Sequence, residues 1–387
     1  MTSKPKIAII GAGMGGLTAA AVMLRAGFEA DIYEQASRFT RLGAGIQMSP
    51  NAIKVLRSIG LEPAMREIAF RPPNQFSREW DTGEILLDIP FGDPMEERYS
   101  APYLLMHRGD LHLLLSRTVP EERIHLSKKL VKFENRDSGV RLSFSDGTAV
   151  DADAVVGADG VHSTVRTALL GEERPTYTGR VAYRTTFPAK LLNGFKIDDC
   201  TKWWGPDRHI VIYFVTHNRD EVYFVTSVPE PAWSEESWSM KGDLGELRQA
   251  FAGFHPQVQA VLQACPDVHK WAINVRDPLP RWSEGRVVLL GDACHPMTPY
   301  MAQGAATSME DAMILTRCLQ EIGAAGGDIS SAFKRYERTR KERTSKIQFH
   351  SHENKWLHKK ADTDWVYGYD ALTVALAGAT ERQNSLA

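Results

Sequence analysis

The chain has 387 residues, 43% of them hydrophobic, with 46 basic against 48 acidic side chains and a formal net charge of −2. That length accommodates about two or three domains, and so even a charge balance gives no reason to expect a nucleic-acid partner. The four cysteines, Cys200, Cys265, Cys294 and Cys318, are spread without a C-x-x-C pair, which argues against a disulfide framework or a zinc ribbon and for a reducing cytoplasm.

From Ile7 to Leu24 the chain carries no charge, close to the length of about 18–20 residues that crosses a bilayer. Gly11, Gly13, Gly15 and Gly16 sit in its middle, however, and would weaken an isolated lipid-exposed helix. A signal peptide fits no better, because the stretch runs on into a patterned, charged segment rather than to a small-residue cleavage site. Read in pieces, Ile7–Ile10 is a buried strand, Leu17–Arg25 a helix stopped by Gly27, and Phe28–Glu34 a second strand.

The glycines then have separate tasks. Gly11, Gly13 and Gly16 match G-x-G-x-x-G directly after a strand. The first permits the tight turn, the second lets a pyrophosphate approach the backbone, and the third lets helix and strand pack closely. The helix start, with Met14 and Gly15, offers free N–H groups and a positive dipole. Glu34, followed by Gln35, comes about 20 residues after Gly13, where an acid accepts the ribose hydroxyls of an adenosine. The turn predicts a dinucleotide site without choosing between NAD and FAD.

Further along, Ser49 and Pro50 read as N-cap and first residue of a helix ended by Gly60. Arg71 to Ser100 is loop-rich, with a short strand at Ile85–Ile89. His107–Leu115 reads as a turn into a helix capped by Asp110, and strand-like runs follow near Arg141–Ser145 and Ala154–Gly157. Val181 to Val228 is richest in aromatic and β-branched residues and predicts a separate sheet. Within it HIVIYFVT and EVYFVTSV flank HNRD and should pair as a hairpin. Gly285–Leu290 returns to the buried-strand pattern and Ala305–Gln320 to helix, so the chain leaves the nucleotide domain and comes back. The basic run Lys334–Lys346 reads as a solvated helix face, and His350, His352 and His358 as surface histidines without zinc spacing. No metal site is expected, and there is no internal repeat or low-complexity tract.

Two stretches choose the cofactor. VVGADGVHSTVR (155–166) is a buried strand followed by a turn with Asp159 and Gly160, then Arg166. GRVVLLGDACHPMTPYMAQGAATSMEDA (285–312) delivers Asp292 to a strand end, and its segment 303–306, with Gly304 and Ala305, opens a helix. An acid at a strand end can bind a ribityl hydroxyl, and helix N–H groups can stabilise negative charge on a reduced flavin.

With the glycine turn, these segments resemble the class A FAD-dependent aromatic hydroxylases, the p-hydroxybenzoate and salicylate hydroxylase family. The resemblance covers most of the chain. It implies an α/β fold: a discontinuous Rossmann-like FAD-binding domain (1–70, 101–175 and 280–335), an interleaved, mostly antiparallel β-sheet substrate domain (71–100 and 176–279), and a C-terminal helical segment (336–387). It also implies that Glu34, Arg108, Leu130 and Asp292 contact FAD, with Arg166 supporting the Asp159 turn. NADH or NADPH would visit transiently, there being no second dinucleotide fingerprint. RLGAGI, KWWGPDRH, GDACHPM and WVYGYD are similar to members acting on hydroxypyridine carboxylates. In those members histidine is expected where this chain has Gln47 and Tyr300, both bordering flavin and substrate.

Side chains two apart on a strand share a face, so His209 and Tyr213 are polar groups on one otherwise apolar face, which the resemblance places over the flavin. Cys200, Lys202 and Trp204, just upstream, read first as core packing that can also line the pocket. The implied reaction hydroxylates a small hydroxylated aromatic or pyridine carboxylate with NAD(P)H and O2 through a C4a-hydroperoxyflavin, with loss of CO2 where the attacked carbon bears the carboxylate. The ring needs its hydroxyl deprotonated, and Tyr213 with His209 is the candidate relay, with Gln47 beside it. Gln47, Cys200, His209, Tyr213 and Tyr300 are the expected substrate contacts. A salicylate- or hydroxybenzoate-type hydroxylase, an NAD-dependent dehydrogenase and a non-catalytic flavin-binding redox sensor are the competing readings. The protein is expected to be cytoplasmic, off the membrane, and a monomer or homodimer.

Overall fold

The computed structural model of the chain describes residues 5–41, 44–233, 240–325 and 328–378. Leu42 and Gly43 of the RLGAGI segment therefore lie outside the described residues. Among those described, no helix is long and apolar enough to cross a membrane.

The short apolar runs assemble into a six-stranded sheet in the order Ser283–Glu284, Val287–Leu289, Ala154–Gly157, Lys6–Ile10, Glu29–Tyr33, Ile124–His125. All neighbours are parallel except the first pair. Ala154–Gly157 and Val287–Leu289 are buried throughout, as strands of a parallel sheet covered on both faces must be. Helix Met14–Arg25 ends at Gly27, whose φ of +80° suits glycine and turns the chain into Glu29–Tyr33. Helix Gly304–Ala325 packs against it, so residues nearly three hundred positions apart share one core.

The aromatic-rich region forms a second sheet of seven strands: His269–Val275, Thr176–Pro188, Glu221–Pro229, His209–Phe214, Cys200–Trp204, Asn74–Glu79 and Ile85–Pro90. Only Cys200–Trp204 and Asn74–Glu79 run parallel. The expected hairpin is present, with His209 opposite Ser227 and Tyr213 opposite Tyr223. A two-stranded ribbon, Gly45–Met48 with Leu104–His107, spans the seam between the sheets. Met48, Leu104 and Met106 pack into the core of the parallel sheet, and Leu105 into that of the antiparallel one.

Several local expectations change. Helix Arg108–Ser116 is capped by His107, whose Nδ1 accepts from the Gly109 N–H at 3.0 Å, while Asp110 lies in the first turn and pairs with Arg41 at 2.7 Å. Ser49 occupies the N-cap position, but its hydroxyl donates to Asn51 Oδ1 rather than capping the helix. The basic run belongs to helix Ile329–His352, which passes through the boundary expected at 335/336. Its face is not simply solvated. Arg340 is fully buried, with Nε 2.7 Å from Asp311 and an Nη 2.6 Å from Glu310. His350 and His352 are exposed, but His358 is half-buried with its ring 4.6 Å from that of Trp204.

Candidate active site

Parallel strands end on one side of their sheet, and ligands of such sheets bind beyond those ends. Gly11, Glu34 and Asp159 follow directly or closely on Lys6–Ile10, Glu29–Tyr33 and Ala154–Gly157, and Asp292 follows Val287–Leu289. The fold thus gathers four segments from across the chain. Gly11, Gly13, Glu34, Gln35, Leu130 and Asp159 line one groove of about 500 Å³. Lys128, Lys129 and His162, which the motifs did not single out, join that lining. The basic pair ahead of Leu130 was the available signal.

The glycines can be tested one at a time. Gly11 has φ +100°, and a Cβ there would lie 2.5 Å from the Ala158 carbonyl oxygen. At Gly16 it would lie 2.0 Å from the Gly11 oxygen, so helix and strand meet only because both side chains are missing. Gly15 faces Leu290 and Ser308 in the same way. Gly13 differs: its φ of −71° suits any residue, and a Cβ would meet nothing within 4 Å. Its bare backbone opens onto the groove. Met14, the first helical residue, is buried. The Glu34 carboxylate accepts from the Ala12 N–H at 2.7 Å and the Ala36 N–H at 2.8 Å, which fixes it beside the turn.

Asp159 caps its own turn, taking hydrogen bonds from Ser163 Oγ at 2.5 Å and the Val165 N–H at 3.1 Å. Arg166 donates to the Val161 carbonyl at 2.7 Å, as a support for that turn should. Arg108 and Asp292 are closely surrounded by protein, yet each keeps exposed surface. Burial raises the Asp292 carboxyl, offset by His295 and Arg108. Burial and then Arg184 lower the Arg108 guanidinium, offset by Asp292. Gly304 and Ala305 open their helix beside this acid, a Cβ on Gly304 standing 3.9 Å from Asp292 Oδ1. Behind it Cys294, His295 and Asp311 converge, but Asp311 is already committed to His295 at 2.5 Å and to Arg340.

A second cavity lies against the antiparallel sheet, walled by Gln47, Gln75, Tyr103, Lys202, His209 and Tyr300, with Trp356 and Tyr367 from the C-terminal segment. Burial, then Lys202 and Arg180, push the His209 imidazole well below its ordinary range, so it is neutral. Its ring stands edge-on to Tyr300 at 5.4 Å, and Tyr300 shares a 2.8 Å hydrogen bond with Ser227. Tyr103 Oη donates to Gln47 Oε1 at 2.7 Å, and the Gln47 amide also bonds the Tyr213 hydroxyl. Burial holds Tyr213 a neutral phenol. A Cβ on Gly45 would sit 2.7 Å from that hydroxyl, so the ribbon passes directly over it.

The expected site residues are therefore divided. Gln47, His209 and Tyr300 line the cavity, while Tyr213 and Cys200, paired across their strands, lie beyond Gln47 on the same sheet face. Four residues along a strand span roughly 13 Å, so His209 and Tyr213 are too far apart to exchange a proton directly.

A family model described as "FAD binding domain" matches residues 4–349. The chain belongs to that family. It is 49% identical over 372 residues, 96% of each chain, to 6-hydroxynicotinate 3-monooxygenase of Bordetella bronchiseptica. Klebsiella pneumoniae HpxO solved with FAD and uric acid superposes with a TM-score of 0.80 at 27% identity, covering 93% of this chain and 90% of that one. A salicylate hydroxylase substrate complex has the same fold, with a TM-score of 0.81 at 23% identity and 96% and 97% coverage.

The protein is an FAD-dependent aromatic monooxygenase. The local chemistry fits the cofactor: a glycine turn whose one unforced glycine opens onto a groove, an acid fixed beside it, and a second acid and a guanidinium that influence each other and keep exposed surface. In this flavin hydroxylase Gln47, His209 and Tyr300 line the buried cavity of the antiparallel sheet.

Proposed function

We propose that this enzyme hydroxylates a hydroxypyridine carboxylate of the 6-hydroxynicotinate kind, consuming NADH or NADPH and O2 and releasing CO2 when the attacked carbon carries the carboxylate. The observation that carries this reading is the 49% identity, over 96% of both chains, to a 6-hydroxynicotinate 3-monooxygenase. One oxygen atom enters the ring and the other leaves as water. Bound FAD would supply the redox chemistry, taking hydride from the nicotinamide and activating oxygen.

The chain's own groups position and activate the ring. Gly11, Gly13, Glu34, Gln35, Leu130 and Asp159 hold the adenosine and pyrophosphate side of the cofactor, and Arg108, Asp292, Gly304 and Ala305 the flavin side. Attack requires a ring rich in electrons, and deprotonating its hydroxyl provides that. His209, neutral through burial, is able to accept a proton. Tyr213, held protonated, serves as a donor and acceptor that passes one on. Gln47 has no proton to exchange, so it orients Tyr213 rather than relaying. Tyr300 and Cys200 shape the pocket. The enzyme would work as a monomer or homodimer in the cytoplasm, with no membrane or nucleic acid.

The test is NADH or NADPH oxidation by the FAD-loaded enzyme with 6-hydroxynicotinate, salicylate and 3-hydroxybenzoate, with products identified by mass. Stoichiometric 2,5-dihydroxypyridine and CO2 from the pyridine acid are expected. Product from the benzoates alone would overturn the substrate assignment.

A further inference from the structure

Strand Cys200–Trp204 places Cys200, Lys202 and Trp204 on the face that looks into the substrate cavity, with Lys202 opposite Val211 on one neighbouring strand and Ser77 on the other. Lys202 lines the cavity and is only 4% exposed. Its Nζ lies 3.8 Å from the centre of the Trp204 ring. Among the described residues it has no ion-pair or hydrogen-bond partner. The titratable groups whose ionisation it influences, His209 and His358, flank the same Trp204 ring and lose basicity first to burial, with the ammonium (and Lys359 beside His358) lowering them further.

This is an unusual place for a lysine. Buried charges are normally paired, because an isolated ammonium out of water costs far more than its packing returns. Burial alone lowers the Lys202 amine to about 7, with no carboxylate to offset it. One aromatic face is a weak partner. The buried Arg340, Lys270 and Arg276 each meet at least one carboxylate. What Lys202 lacks in the protein is an anion, and the cavity is where one can enter.

We propose that Lys202 is the anion anchor of the substrate pocket, pairing its ammonium with the ring carboxylate and so selecting aromatic acids over neutral rings of the same shape. This rests on the substrate reading above and adds the residue that enforces it. The carboxylate lies toward the Trp204 side of the cavity, where His209 and His358 add donors; Glu79, opposite Trp204 on the neighbouring strand, is the acid facing His358 there. The side chain acts as a specificity determinant, and the flavin site is independent of it.

The test is ligand binding to the FAD-loaded enzyme without reduced nicotinamide, read from the flavin absorbance. The probes are 6-hydroxynicotinate, its neutral carboxamide, and 2-hydroxypyridine, which keeps the ring hydroxyl and lacks the carboxylate. The parent should prefer the acid over the carboxamide by about 10- to 100-fold, the range of a buried hydrogen bond to a charged group. K202M should abolish that preference while retaining FAD, and K202R should keep part of it. An unfolded K202M would itself contradict the proposal, since removing an unpaired buried amine should not destabilise the fold; K202Q provides an independent replacement. Unchanged discrimination in K202M, or equal weakening toward all three probes, would overturn the anchor. A parent enzyme that binds the neutral rings and ignores every acid overturns the substrate reading instead, and the anchor with it.

Discussion

Tyr103, just ahead of the strand Leu104–His107, donates a 2.7 Å hydrogen bond from its Oη to Gln47 Oε1 on the other strand of the ribbon that passes over the Tyr213 hydroxyl. Gln47 is the position where the resemblance implies histidine, and an amide neither gains nor loses a proton near neutrality. Its orientation, set by Tyr103, decides which group it offers to Tyr213. Tyr103→Phe should therefore lower kcat/KM about two- to tenfold, the net value of one neutral hydrogen bond of about 0.5–1.5 kcal/mol. FAD content should not change. Parent-like steady-state kinetics in that variant would show that Gln47 needs no such support.

Tyr213→Phe keeps the ring and its 5.0 Å contact with Tyr223, so folding and FAD binding should survive. Loss of the hydroxyl should lower product formation by about 10²–10⁴-fold, as loss of acid–base help does. NADH oxidation should persist with hydrogen peroxide as the product, because the ring is then too poor in electrons to take the oxygen. Product formed per NADH consumed is the readout. Undiminished coupling would remove Tyr213 from the reaction and leave His209 or water as proton acceptor.

Gly13→Val separates cofactor binding from stability. The position has ordinary φ and open space around it, so the folded protein should tolerate valine. The pyrophosphate should not. The variant is expected to unfold in the same range as the FAD-free parent and to purify without yellow colour. A valine variant that retains FAD would exclude this approach of the phosphates.

Arg340 is fully buried with Glu310 and Asp311, and Arg343 joins Glu310 at 2.8 Å. Arg340→Met leaves a buried carboxylate without its partner, which costs about 3–5 kcal/mol. Urea unfolding of the FAD-saturated variant measures it. A loss below about 1 kcal/mol would mean that Arg343 and His295 compensate.

The His209 imidazole is depressed by burial, so its folded pKa lies below the ordinary histidine value near 6.5. Between those two values the unfolded chain binds more protons than the folded one, and stability falls as pH drops. The contribution is complete above about 6.5 and is lost toward the folded pKa. His107, His112 and His358 are shifted in the same direction, so a difference measurement is required. His209→Gln should show a smaller drop in urea midpoint between about pH 8 and about pH 5.5 than the parent. Parallel curves would place the acid sensitivity in the other three histidines.

The cofactor side was legible because its signals are short. Gly11, Gly13, Gly16 and Glu34 fall within one strand–helix–strand unit, and the strand preceding Asp159 and that preceding Asp292 each carry an apolar run that only a covered parallel sheet explains. Where local reading failed, tertiary contacts had intervened. Asp110 is a good cap by residue type, but Arg41 engages it and His107 takes the cap. Arg340 reads as one more charge on a basic helix, and nothing nearby in sequence reveals Glu310 and Asp311 some thirty residues earlier.

The sequence by itself determined the glycine turn, the interleaving of two sheets and the face shared by His209 and Tyr213, since each depends on spacing within a few residues or on the period of a strand. Only the tertiary structure decided what faces what. It set His209 and Tyr213 on different parts of one face, because strand rise multiplies with separation. It brought Tyr367 and Trp356 from the far end of the chain to wall the cavity, and left Lys202 buried beside Trp204 without a carboxylate. Burial and pairing are properties of contacts between distant segments, and no local pattern encodes them.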